Sequence, residues 1–160
     1  MNALKQAGAE VTLFAPKKGK IQSFKHHDKA DHFDVDHPLA EANPHKFDAV
    51  VLPGVLRVQP QAQEFVRDMD LQGKPIAVIC HAPWLLVSAG LVRGRTITSY
   101  HTIQDDIRNA GGKWQDQEVV RDKNWVSSRQ PSDIPVFNRA MIELFSENKR
   151  ALSDTTERAA

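Results

Sequence analysis

Residues 75–100 read PIAVICHAPWLLVSAGLVRGRTITSY, and the fold is decided here. Ile76 to Ile79 form a short, wholly apolar run with β-branched members, set off by Gly73 and Pro75. That pattern suits a strand buried on both faces, as in a parallel sheet. Trp84, Leu85, Leu86, Val87 and Leu91 then start a helix-like stretch, with Pro83 in its first turn and Gly90 near its end. Cys80 and His81 occupy the joint. A thiol on a strand-to-helix turn stands outside the carboxyl edge of the sheet, close to the positive end of a helix. Both features favour a thiolate. The plainer reading is that a lone cysteine after an apolar strand is a small buried hydrophobe, so the surroundings have to decide between them.

Outward from this centre the chain alternates strands and helices. Asn2 to Gly8 reads as the last turns of a helix and Glu10 to Ala15 as a strand. An α/β repeat would place its opening strand ahead of this pair, and none is seen. IQSF and HFDV within 19–35 suggest a small hairpin. His26, His27, Asp28, Asp31, His32, Asp34, Asp36 and His37 crowd into the same region. These are metal-ligand types, but their spacing fits no defined site, and a solvated hairpin tolerates them all.

Pro38 to Ala42 suits a helical turn, and Phe47 to Leu52 is a second apolar strand ending in Pro53-Gly54. Gln61 to Leu71 reads as a helix stopped by Gly73. Arg95 to Ser99 is a further strand leading to Tyr100 and His101, and Thr102 is positioned to cap a helix over 102–110. Glu118 to Arg121 and Trp125 to Ser128 flank a hairpin turn, and Ser132 is positioned to cap a last amphipathic helix. The tail after Lys149 is polar. The order predicts one α/β domain over 1–149 with a mainly parallel sheet and a C-terminal tail over 150–160. In such sheets ligands bind outside the carboxyl ends of the strands. Two of those ends are Leu52-Pro53-Gly54 and Ile79-Cys80-His81, and their convergence raises Cys80 above the plainer reading.

At 160 residues, with 41% hydrophobic and 26% charged content, the composition is that of a soluble globular domain. A formal net charge of +1 without basic clustering argues against nucleic-acid and anionic-membrane partners. No apolar run is long enough to span a bilayer, and the start lacks signal-peptide order. A single cysteine cannot form an intramolecular disulfide, which points to a reducing cytoplasm.

VVLPG at 50–54, the run 73–100, DDIRNAGGKWQDQEVVRDKNWVSSR at 105–129 and the PSDIPVFNRAMIELF that follows resemble the ThiJ/PfpI family. This is the intracellular-protease branch of the glutamine-amidotransferase-like superfamily. The likeness covers nearly the whole chain in order. It implies a flavodoxin-like three-layer sandwich, here without its first strand, assembled as a homodimer or higher oligomer. It also implies a nucleophilic cysteine with no metal or organic cofactor. Activities credited to members are peptide hydrolysis, glyoxalase-type handling of methylglyoxal, reversal of early glycation and stress protection, so the implied substrate is a small carbonyl compound or a peptide.

By resemblance Cys80 is the nucleophile and His81 its base or orienter, with an N–H that helps bind an oxyanion. Gly54 and Val55 hold the second oxyanion donor. Tyr100 matches an aromatic residue near the site. His101, just past the end of the next strand, is by its position a further substrate-binding candidate and a stand-in base, against the plainer reading of an ordinary loop residue. Three departures from the family pattern carry consequences. The opening strand and the loop with a glutamate that touches the cysteine are not found ahead of the first helix. Val55 replaces the second glycine of the PGG turn, in a shortened loop without its acidic residue. Ala82 replaces the glycine of the elbow. The thiol and histidine therefore stand without the two supporting carboxylates. A slow Cys80-dependent enzyme is the main expectation. The alternatives are a non-catalytic stress or redox-sensing protein, or an N-terminally truncated inactive member.

Overall fold

The computed structural model describes residues 1–25, 28–54 and 56–158, so His26, His27 and Val55 lie outside the described residues. Two compact units form, Met1–Asn43 and Pro44–Ala160. In the first, α1 (Asn2–Gln6) ends as expected before Gly8. Of the expected strand over 10–15, only Phe14–Ala15 joins a ladder, as β1. Leu13 shows why: its N–H donates to Asp36 Oδ2 at 2.7 Å, and its carbonyl accepts from the Asp36 N–H at 3.0 Å. Backbone groups that would lengthen the ladder are taken by a turn residue.

The expected hairpin forms from β2 (Lys20–Lys25) and β3 (Asp28–Asp34), with an irregularity between Gln22 and Phe24. β4 (His37–Pro38) pairs in parallel with β1, and a 3-10 turn follows at Leu39–Glu41. Several members of the His/Asp group have other partners: Asp34 faces Lys20 at 3.8 Å, and His37 Nδ1 lies 3.1 Å from Glu41 Oε2. Among the described residues no group of three or more His, Cys, Asp or Glu could hold a metal.

The second unit opens with a 3-10 turn at Pro44–Lys46. β5 (Val50–Leu52), α2 (Pro60–Leu71), β6 (Ile76–Ile79), α3 (Pro83–Ser88) and β7 (Thr96–Ile97) follow. After a 3-10 turn at His101–Ile103 come α4 (Gln104–Asn109), β8 (Lys113–Trp114), β9 (Val119–Asp122), β10 (Trp125–Ser128) and α5 (Ile134–Arg158). The main sheet runs β5-β6-β10-β9; β5, β6 and β10 are parallel, and β9 is antiparallel to β10 through the expected hairpin. Every residue of β6 and β10 is buried. Strands dry on both faces need helices on both, and α2 packs on β6 while α5 packs on β9 and β10. Met69, Leu85, Leu86, Ile107 and Val126 fill this core with no exposed surface. Among the described residues β5 has a strand on one side only, and β1 takes β4 as its partner.

Three details differ from the sequence reading. The strand expected over 95–99 contracts to Thr96–Ile97, paired with an unanticipated β8. Its other donors are diverted: the Thr96 N–H goes to Asp122 Oδ2 at 2.7 Å and the Thr98 N–H to Ser127 Oγ at 3.0 Å. Ser132 does not cap the last helix. A 3-10 turn at Pro131–Asp133 leads into it, and Ser132 Oγ instead accepts from Gln130 Nε2 at 3.0 Å. That helix also continues through Arg158, past the boundary expected at 149.

A polar cluster ties the amino end of the sheet together. Arg95 lies over the Trp125 ring at 3.7 Å and reaches Asp70 at 3.5 Å and Asp122 at 3.3 Å. Trp125 Nε1 and Asn124 Nδ2 both donate to Asp70 Oδ1, at 2.7 and 3.0 Å. One guanidinium thus joins α2, β7 and the β9–β10 hairpin. With only 12% of its side chain exposed, its removal leaves two largely buried carboxylates without their cation. Arg95→Met should cost about 3 kcal/mol in denaturant unfolding, and Arg95→Lys should recover only part of it because an ammonium lacks the stacking plane and the fork.

The elbow after β6 yields a second expectation. Cys80 has φ +65°, a left-handed conformation that costs an L-residue about 1–2 kcal/mol. Cys80→Gly should therefore match or exceed the native chain in unfolding free energy, by up to about 1 kcal/mol. A clear loss of stability would show that the thiol's packing outweighs the strain.

Candidate active site

The site grows from one residue whose backbone is held on both sides. The Cys80 N–H donates to Ser128 O at 3.1 Å, continuing the β6–β10 ladder, and the Cys80 carbonyl accepts from the Tyr100 N–H at 2.9 Å. The Ala82 N–H closes the turn onto Ile79 O at 3.1 Å. With both of its polar groups fixed by neighbouring segments, Cys80 is kept in its left-handed conformation, as strained functional residues are. The conformation lifts the side chain off the strand at the carboxyl edge of the sheet. In the β5–β6 register Leu52 pairs with Val78. Gly54 and Cys80 each follow two residues later, so both strands break at the same edge.

His81 meets the thiol directly: Cys80 Sγ and His81 Nδ1 are 3.2 Å apart. The other ring nitrogen, Nε2, lies 3.2 Å from Thr102 Oγ1. Tyr100 and Trp84 flank the ring, with centroids 4.9 and 5.8 Å away. Trp84 is fixed in turn by donating Nε1 to Asp106 Oδ2 at 2.9 Å, and Arg57 lies over its ring at 4.8 Å. His101 packs against Tyr100 at 4.5 Å, one layer out from His81.

The electrostatics correct one expectation. A strand-to-helix turn was expected to favour the thiolate, yet burial pushes the Cys80 thiol above its ordinary value, and the His81 backbone N–H opposes this only in part. The helix dipole is too small to reverse the balance, because α3 has just six residues and begins three positions after the thiol. Burial thus disfavours the thiolate at Cys80, and chemistry there calls for a base beside the sulfur. His81 is the group in place.

Of the residues expected at the site, Cys80, His81 and Tyr100 come together. Gly54 shares the edge, His101 reaches only Tyr100, and Val55 is outside the described residues. Two members escaped the sequence reading. Trp84 follows His81 by three residues, one helical turn on, so its spacing was a usable signal. Thr102 was expected to cap α4, but the residue before that helix is Ile103 and no side chain caps it. The Thr102 hydroxyl goes to His81, twenty-one residues away in sequence, and no local pattern announces that. A shallow depression lined by Asp116, Glu118 and Arg129 offers no competing nucleophile, and Arg129 is committed there to Asp116 and Asp133 at 2.8 and 2.9 Å.

Comparison with known proteins identifies the family. The chain is 45% identical over 146 residues to Deglycase PfpI of Pyrococcus furiosus, covering 88% of this chain and 86% of that protein. It is 40% identical over 146 residues to Protein/nucleic acid deglycase 2 of Escherichia coli, covering 88% and 84%. Among solved structures, a two-domain protein of Anabaena variabilis with DJ-1/ThiJ/PfpI-like and ferritin-like domains superposes with a TM-score of 0.82 at 34% identity. That match takes in 89% of this chain and 42% of the larger one. The model of the DJ-1/PfpI family matches residues 1–144, and the chain belongs to that family.

Proposed function

We propose that this chain is a slow, cysteine-dependent enzyme of the deglycase type, acting in the cytoplasm as a homodimer on small or protein-borne carbonyl adducts. The observation that carries this reading is Cys80 held at φ +65° with Sγ 3.2 Å from His81 Nδ1. In the first step Sγ adds to the electrophilic carbonyl carbon. The S–C bond forms as the thiol proton passes to His81 Nδ1, and the carbonyl π pair moves to oxygen. The backbone N–H of His81 and the turn at Gly54 are the candidate donors to that oxyanion. His81 then returns its proton to the oxygen, completing a neutral thiohemiacetal or thiohemiketal on Sγ, and reversal of the addition restores the thiol.

The deglycase names of the relatives support the carbonyl class. A net charge of +1 supplies no overall attraction for a polyanion, which favours protein-borne and free adducts over nucleic acid. Among the described residues no helix is long and apolar enough to cross a membrane. Slowness follows from the site itself: burial disfavours the thiolate, and among the described residues no carboxylate bonds to His81.

Methylglyoxal adducts of a blocked lysine or cysteine test the activity. Turnover should be low, abolished in Cys80→Ser and reduced about 10²-fold in His81→Gln. Turnover that survives Cys80→Ser would overturn the reading, and turnover absent in the native chain with rapid peroxide oxidation of Cys80 would favour a redox sensor. The pH dependence has a fixed sign. With burial pushing the thiol up from its ordinary value, its alkylation should keep climbing into the alkaline range. A plateau near neutrality would mean a thiolate at rest. Sedimentation at micromolar concentration should give a dimer, and a monomer would remove that part of the proposal.

A further inference from the structure

We propose that Thr102 is the positioning residue of the Cys80–His81 pair, holding the imidazole in the orientation and tautomer that leave Nδ1 as the base. This rests on the reading of that pair given above. An imidazole has two polar atoms, and both are engaged: Nδ1 with Cys80 Sγ at 3.2 Å and Nε2 with Thr102 Oγ1 at 3.2 Å. Tyr100 is the other titratable group against the ring. Further out, His101 reaches Tyr100, while Asp106 and Arg57 reach Trp84. The acids of α4 are occupied elsewhere, Asp106 by Trp84 Nε1 at 2.9 Å and Asp105 by Arg108 at 3.1 Å.

Thr102 is also held at a set distance from the elbow. It sits in the 3-10 turn His101–Ile103, where Ile103 is fully buried and its N–H donates to Tyr100 O at 3.2 Å. Tyr100 in turn donates its own N–H to the Cys80 carbonyl at 2.9 Å. The elbow that raises the thiol thus anchors the segment that carries the hydroxyl.

The chemistry favours a hydroxyl that accepts. While S–H donates to Nδ1, the ring proton belongs on Nε2, and Thr102 Oγ1 accepts it. When the thiol proton moves to Nδ1, the Nε2–H keeps the same acceptor, so no group has to turn during the step. In the other tautomer Nδ1 already carries a hydrogen and cannot take the thiol's. A neutral hydroxyl stabilises the imidazolium less than a carboxylate does, so the arrangement orients the base without making it strong.

The test is the pH–rate profile of Cys80 alkylation by iodoacetamide in the intact chain, read by mass spectrometry. Thr102→Val should slow alkylation at neutral pH by about five- to tenfold and move the profile's midpoint to higher pH. Thr102→Ser, which keeps the hydroxyl, should stay within about twofold of the native chain. In a His81→Gln background, Thr102→Val should change nothing further. A Thr102→Val profile identical to the native one would overturn the proposal, as would an equal slowing in the His81→Gln background. Iodoacetamide reads the thiol without any substrate. Lost carbonyl turnover with an intact Thr102 effect would therefore sink only the deglycase reading, and intact turnover without that effect would sink only this one.

Discussion

The site depends on a single backbone conformation that the rest of the second unit enforces. Cys80 at φ +65° is held by Ser128 O on one side and the Tyr100 N–H on the other. Neither bond is local. One continues the parallel ladder to β10, and the other comes from the chain leaving β7. Strain of this kind persists only where the surroundings over-determine it, and here the determining parts are the sheet and the segment that delivers Tyr100, Thr102 and Ile103. The same bond that fixes the elbow therefore brings the flanking aromatic and the hydroxyl to His81.

At the other end of the sheet a second constraint sets where those parts begin. Arg95 precedes β7 and is tied to Asp70 at the end of α2, to Asp122 of β9 and to the face of Trp125 in β10. Asp122 also takes the Thr96 N–H, and Ser127 takes the Thr98 N–H. β7 is thus registered against the hairpin by side chains where a ladder would ordinarily do it. Tyr100 arrives at the elbow because those bonds fix the strand four residues earlier. The opposite ends of the sheet divide the work, with charge and stacking fixing register at one and backbone strain presenting the thiol at the other.

The chemistry at Cys80 shows which effect wins when two oppose. The His81 backbone N–H favours the thiolate, but desolvation by burial is the larger effect and pushes the thiol up. The backbone positions the sulfur in advance, and His81 is the group placed against it. The imidazole ring lies between Tyr100 and Trp84 and has both nitrogens engaged, so its orientation is set before any substrate arrives.

Much of this was legible in the chain itself. The four-residue apolar run at 76–79, with Pro83 and Gly90 behind it, determined a buried strand and its following helix, because burial and turn chemistry act over a few residues. The same local signals placed α2, the β9–β10 hairpin and the Cys80–His81 joint. What they could not supply was the competition for hydrogen bonds between distant segments. Strand 10–15 shrank because Asp36 took the Leu13 N–H, and strand 95–99 shrank because Asp122 and Ser127 took its donors. Thr102 looked like a helix cap, since a local partner is all that sequence spacing can propose for a hydroxyl; only the tertiary structure gave it His81 instead. The direction in which the Cys80 thiol is pushed was likewise decided by the fold, because desolvation depends on what packs around the sulfur, while the donor that opposes it is its neighbour in sequence.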